Sequence, residues 1–305
     1  MKLGPTVALI GCGMWGRHIL RDLVELGCVV PVVTHTEESR ARAEDGGASV
    51  VVTVIGDLPK VDGVVVATPT SSHFAVVTEV LGLGVPVFVE KPLCQDADEA
   101  DRAAKLGGER LFVMDKWRYH PGIEALRDIA TSGELGPVVG LRCTRVGWGR
   151  VHDDVDSVLV LAPHDISIGL EVLGHIPEPR SAVAERNGNG LIAILGEAPW
   201  LVIEVSTSTV ERRRETRLIC EGGVAIVDNS WSDQLTIARL GSSPNEPQIT
   251  KRAISNELPL FRELRCFVEH LAGGPPPRSS AQEGATNVRA IAKLRQIADR
   301  GVIVP

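Results

Sequence analysis

The sequence predicts an α/β protein with two domains: a doubly wound parallel sheet at the N-terminus, then an α+β domain on a mainly antiparallel, open sheet. Three observations predict it. Short apolar runs alternate with helix-like segments through residue 117; the pattern changes to closely spaced strands beyond Gly136-Pro137; and a glycine motif stands between the first strand and the first helix. The expected boundaries are 1–117 and 118–305, with the C-terminal helices free to pack back onto the first domain. A chain of 305 residues, 44% hydrophobic, exceeds what one core usually organises.

The first strand, Val7-Ala8-Leu9-Ile10, runs into Gly11-Cys12-Gly13-Met14-Trp15-Gly16. Gly11 suits the tight turn, Gly13 a close backbone approach to a pyrophosphate, and Gly16 close helix–strand packing, as in a Rossmann-type dinucleotide site. The helix N-terminus at Met14–Gly16 then offers free N–H groups to phosphate. An ordinary glycine turn is the alternative for the motif taken alone. The second strand, 28–33, ends at Thr34-His35-Thr36, where an NAD-specific fold usually places an acid for the ribose hydroxyl. With Thr34 there, and His35 and Arg40 to add charge, a 2′-phosphate meets no carboxylate. The cofactor expectation is therefore NADP or NAD, leaning to NADP; the alternative is that these are exposed loop residues and NAD binds.

Val50–Thr53 and Asp62–Pro69 are the third and fourth strands, and the end of the latter, Ala67-Thr68-Pro69-Thr70-Ser71-Ser72-His73, opens a helix. Val85–Val89 is the fifth and ends in Glu90-Lys91-Pro92; Leu111–Asp115 is the sixth. Residues at the carboxyl ends of parallel strands face the ligand crevice, which makes Thr68, Pro69, His73, Glu90 and Lys91 cofactor-side candidates. Lys91 by itself also fits a solvent-exposed lysine after a strand. Trp117-Arg118-Tyr119-His120 follows as an aromatic and basic loop.

Strands are then expected at 138–148, near 182, and at 191–195, 201–207, 216–220, 224–228 and 235–238. One helix, 162–174, interrupts them, with Pro163 in its first turn and Gly174 at its C-cap. That placement puts His164 and Asp165 at the helix tip, where a histidine serves either as a cap or in catalysis. Two more helices are expected at 258–271 and 282–299. The sheet has helices for one face only, so a symmetric homodimer or homotetramer is expected through the other.

A net charge of −7 and the lack of a basic stripe argue against a nucleic-acid partner. The cluster Glu211-Arg212-Arg213-Arg214-Glu215 reads as a solvated strand end. Six cysteines without a CxxC pair suggest free thiols in a reducing cytoplasm, and no metal site is expected. No signal peptide or membrane span is visible.

The motifs GCGMWG, ATPTSSH, VEKP and the helix-borne PHD, in this order along nearly the whole chain, resemble the glucose–fructose oxidoreductase and inositol dehydrogenase (Gfo/Idh/MocA) family. GELGPVVGLRCTRVGWGRV and VLAPHDISIGLEVLG look closest to its branch that oxidises UDP-linked N-acetylated sugars or their uronic acids at C3. The resemblance implies NAD(P)-dependent hydride transfer, with Lys91 and His164 catalytic. Lys91 would hold the reacting oxygen, His164 would move its proton, and Glu90 would orient Lys91 or the nicotinamide ribose. Lys91, Trp117, Arg118, Tyr119, Arg150, His164 and Asp165 are the substrate-side candidates. Many members carry an aspartate one turn before the histidine; here it is Val160, with Asp165 or Asp156 as substitutes. Reduction of another carbonyl or an imine, and a non-catalytic NADP(H) sensor, are the alternatives. The reacting sugar and the reaction direction are not encoded in these motifs.

Overall fold

A computed structural model of the chain describes residues 4–149, 154–241 and 246–300; Arg150 lies outside the described residues. The chain forms two compact units, the first from residues up to 116 with 258–288, the second from 117–257 with the described residues from 289 onward.

The first unit is built on a six-stranded parallel sheet. Its strands are β1 (Val7–Ile10), β2 (Pro31–Val33), β3 (Val50–Val52), β4 (Gly63–Val66), β5 (Val87–Glu90) and β6 (Leu111–Met114), in the order β3-β2-β1-β4-β5-β6. The reversal of order beside β1 is the switch point where α/β sheets open a ligand crevice. Strands β1, β4 and β6 are buried throughout, which explains their uninterrupted apolar runs. Helices α1 (Gly16–Glu25), α2 (Glu37–Asp45), α3 (His73–Leu81) and α4 (Ala97–Gly107) connect the strands. Asp96 caps α4 by accepting from Asp98 and Glu99 N–H, and Thr36 caps α2 by accepting from Ser39 N–H.

In the second unit, α5 (Pro121–Ser132) and α6 (Ser157–Leu173) pack on an eight-stranded sheet. The strands are β7 (Val138–Trp148), β8 (Pro179–Ala184), β9 (Gly190–Leu195), β10 (Trp200–Ser206), β11 (Ser208–Cys220), β12 (Gly223–Val227), β13 (Gln234–Arg239) and β14 (Gln248–Ala253). Their order is β14-β13-β12-β11-β7-β10-β9-β8, antiparallel except for the parallel pair β7–β10. Inward residues form rows across this sheet: Leu195, Leu201, Leu141, Leu218 and Ala225 make one buried row under the helices. β14 is the strand that sequence reading misses, because all six of its residues are exposed and no alternation marks it.

The helix carrying His164 begins five residues earlier than its sequence suggests. Asp156 is its N-cap, with Oδ1 accepting from Leu159 N–H at 2.9 Å, so Pro163 sits inside α6 and not in the first turn. His164 and Asp165 accordingly lie mid-helix and buried, not at a tip. An interior proline costs a helix hydrogen bond, about 3 kcal/mol in an isolated helix. Burial on all sides offsets it here, since fifteen of the seventeen α6 residues are buried.

The chain returns to the first unit with α7 (Pro259–Leu271). Leu260, Leu264 and Phe267 join the core cluster of β1, β5, β6 and α1, and the Phe267 ring stacks on Phe88 at 5.0 Å. α8 (Ala281–Arg300) belongs to the first unit through Val288 and to the second beyond it. Among the described residues no helix is long and apolar enough to cross a membrane, and no group of metal-ligating side chains forms.

Candidate active site

The first unit carries a cradle for a dinucleotide. Gly11 ends β1 with φ +95°, and a Cβ there would stand 2.7 Å from the Ala67 carbonyl oxygen. A Cβ on Gly16 would meet the Gly11 oxygen at 2.4 Å, so both positions require glycine. Gly13 is different: a Cβ would touch nothing within 4 Å. Its glycine leaves open room directly over the start of α1, where free N–H groups and the helix dipole favour a pyrophosphate. No acidic residue stands in the first turn of α1 to oppose that charge. The residues present fit a bound dinucleotide.

Around this cradle, Met14 and Trp15 are exposed and Thr34 is buried at the end of β2, with its N–H bonded to Val52 O. His35 is exposed, and Arg40 reaches Glu44 at 3.6 Å along α2, a surface contact worth a few tenths of a kcal/mol. His73 is buried between two carbonyls, Nδ1 2.8 Å from Pro92 O and Nε2 3.0 Å from Thr68 O. Burial pulls its pKa down, and the neutral ring donates to one of the two carbonyls. His73 thereby clamps the loop after β4 to Pro92, and the Lys91–Pro92 peptide is cis.

The end of β5 is tied to the glycine motif. Glu90 Oε1 accepts from the Trp15 indole N–H, and its Oε2 accepts from Lys91 N–H at 3.1 Å. The Lys116 ammonium lies 4.0 Å from the Trp15 ring centroid. Also in this unit, Glu263 of α7 is buried, and its Oε2 has no hydrogen-bond partner among the described residues. Burial, with the Glu90 charge nearby, pushes the Glu263 carboxyl well above its ordinary range.

The second unit assembles a different set. Trp117 and His120 stack at 5.0 Å between centroids, and the Trp117 ring meets His164 at 6.4 Å, edge to face. Arg145 of β7 lies over Trp117 at 4.3 Å and donates to Asp165 Oδ1 from Nε (3.0 Å) and Nη2 (2.8 Å). Sequence reading missed Arg145; its inward place on β7 was the available signal. Arg118 and Tyr119 are buried, and Arg118 donates to Glu171 at 3.0 Å, which Arg127 also grips at 2.6 Å. That clasp joins α5 to α6 and gives Arg118 a structural task. The two aspartates that stand near His164 in sequence are engaged elsewhere: Asp165 with Arg145, and Asp156 with Leu159 N–H and Arg295.

A six-stranded parallel sheet, its switch point and this glycine cradle define an NAD-binding oxidoreductase fold. Residues 6–113 match the model of the Gfo/Idh/MocA oxidoreductase family, described as an NAD-binding Rossmann fold. Two characterised relatives are similar. UDP-N-acetylglucosamine 3-dehydrogenase of Acidithiobacillus ferrooxidans is 28% identical, covering 94% of this chain and 95% of that protein. Inositol 2-dehydrogenase of Mycolicibacterium smegmatis is 29% identical, covering 72% of this chain and 71% of that protein. A crystal form of the Acidithiobacillus enzyme superposes with a TM-score of 0.84 at 23% identity, over 97% of this chain and 98% of that one, a likeness of fold.

Proposed function

We propose that the protein transfers a hydride between its nicotinamide cofactor and a hydroxyl-bearing or keto carbon of a sugar carried on a nucleotide. The similarity to a UDP-N-acetylglucosamine 3-dehydrogenase along 94% of the chain carries this reading. When bound, the nicotinamide supplies the hydride acceptor or donor. Lys91, following β5 where Glu90 holds its N–H, hydrogen-bonds the substrate oxygen and stabilises its developing negative charge. His164 takes the hydroxyl proton in oxidation and returns it in reduction, the general acid–base task for which an imidazole side chain is suited. Val160 leaves no carboxylate one turn before His164; the Trp117 ring at its edge restricts the imidazole instead. With Thr34 in place of an acid at the end of β2, NADP(H) is the favoured cofactor.

The test incubates the full chain with NAD or NADP and three substrates: UDP-N-acetylglucosamine, myo-inositol and glucose. Cofactor reduction is expected with the nucleotide sugar and not with the free polyols. Reduction by none of them overturns the proposal; reduction by inositol alone keeps the oxidoreductase and replaces the substrate.

A further inference from the structure

Arg145 and Arg214 stand directly opposite each other on the antiparallel pair β7–β11. Like charges at such a position destabilise a sheet unless something compensates them. Both belong to the inward row that continues Leu191 and Val205, the face covered by α6. Across the rest of that face the rows are apolar or weakly polar, so the charge pair is a local exception.

The acids around the pair do not balance it. Asp165 spends Oδ1 on Arg145, and its Oδ2 is buried with no hydrogen-bond partner among the described residues. Arg214 donates to two backbone carbonyls, those of Val146 and Arg213, and to no carboxylate among the described residues. Its neighbours on β11 do not help: Glu215 is held by Arg213 and Arg217, both at 2.9 Å, and Arg212 adds a further positive charge. Burial, aided by Arg145, brings the Arg214 pKa down to about 10, so it remains a cation at neutral pH. Arg214 is half-buried, whereas Arg145 beneath it is fully buried. The result is a partly desolvated guanidinium, with no hydrogen-bond partner for Nε or Nη2 among the described residues, supported by a second guanidinium and facing one carboxylate. Arg145 shares the Trp117 ring with His164, which places the excess charge beside the histidine to which the proposed function assigns the proton.

We propose that Arg214, backed by Arg145, is a binding subsite for an anionic group of the substrate, a carboxylate or a phosphate close to the reacting carbon. Two planar faces of the same chemistry fit: a guanidinium takes either oxyanion through paired N–H groups. The group neutralises the charge that the cross-strand pair leaves open. The inference rests on the proposed role of His164 only for its nearness to the reacting carbon.

The test reads binding, not turnover, so a chain that oxidises no sugar still reports on Arg214. Full-length protein is titrated calorimetrically with glucose, glucuronate and glucose 6-phosphate, and its melting is followed with each. At least one anionic sugar is expected to bind ten-fold or more tighter than glucose and to raise Tm by mass action. The arm that responds tells carboxylate from phosphate. Arg214→Gln is expected to abolish the preference, while Arg212→Gln, on the exposed neighbour, retains it. If Arg214→Gln does not fold, Arg214→Lys is used, which keeps the charge, loses the paired N–H groups and is expected to weaken the preference at least three-fold. Equal binding of glucose and both anionic sugars overturns the inference, as does a preference that survives the Arg214 variant unchanged.

Discussion

Trp15 and Glu90, seventy-five residues apart, are joined by one hydrogen bond from the indole N–H to the carboxylate. The bond ties the glycine loop after β1 to the end of β5, so the pyrophosphate cradle and the backbone leading to Lys91 share one anchor. Trp15→Phe keeps the ring under Lys116 and removes the donor. Loss of a bond to a charged acceptor at a partly exposed site is worth about 1 kcal/mol, or roughly five-fold in Kd. NADH affinity, measured by fluorescence titration, is expected to fall by that factor with Tm nearly unchanged; unaltered affinity denies the anchor a part in binding.

His164→Ala is expected to lower kcat by about 10²–10⁴-fold with little change in cofactor affinity, as for loss of a positioned base. Lys91→Ala should be at least as damaging. Because both residues are proposed to serve one oxygen, the double variant should lose less than the product of the single losses. Steady-state kinetics of the four proteins settles it: strictly multiplicative losses contradict a shared oxygen, and wild-type turnover by His164→Ala removes the histidine from the proton route.

Cofactor choice turns on Thr34. The unmodified protein should bind NADP(H) at least as tightly as NAD(H), and Thr34→Asp should shift preference toward NAD by placing a carboxylate against the 2′-phosphate. Parallel titrations of both cofactors check this, and a clear NAD preference in the unmodified protein refutes it.

Glu263 makes stability depend on pH. Its folded-state pKa is raised by burial, so the folded protein holds a proton that the unfolded chain releases near its ordinary carboxylate value. Stability is therefore expected to fall as pH rises from the unfolded pKa toward the folded one. Glu263→Gln should raise Tm by a few degrees at pH 8, on the order of 1 kcal/mol, with the gain vanishing near pH 4. Thermal melts across that range test the sign; a variant less stable than wild type at pH 8 contradicts it.

The outer face of the eight-stranded sheet exposes Val183, Ile192 and Ile194 on neighbouring strands. A symmetric dimer or tetramer covering that face is expected. Light scattering at micromolar concentration should show it, and Ile192→Glu should dissociate it; a monomeric wild type rules it out.

The glycines were legible in the sequence because their task is local: the turn at Gly11 and the approach at Gly16 are set by the backbone within a few residues. The six parallel strands were legible for a similar reason, each being an apolar run bounded by breakers. Pro163 misled because a proline's local preference for a first turn was outweighed by the Asp156 cap and by burial around the helix. Arg214 was not legible at all. In sequence it sits in a charge run that suits a solvated strand end, and only the pairing of β11 with β7, sixty-nine residues away, sets it opposite Arg145. Charge placement of that kind is a property of register, which no single window of sequence contains.

The late return of α7 has a consequence for synthesis. The core layer made by Leu9, Phe88 and Phe112 is completed by Leu260, Leu264 and Phe267. A ribosome reaches those residues only after the entire eight-stranded sheet has been made. Throughout that interval the nascent parallel sheet carries an uncovered aromatic flank. Its shelter is then the business of chaperones, or of speed, until about the last sixth of the chain emerges and closes over it.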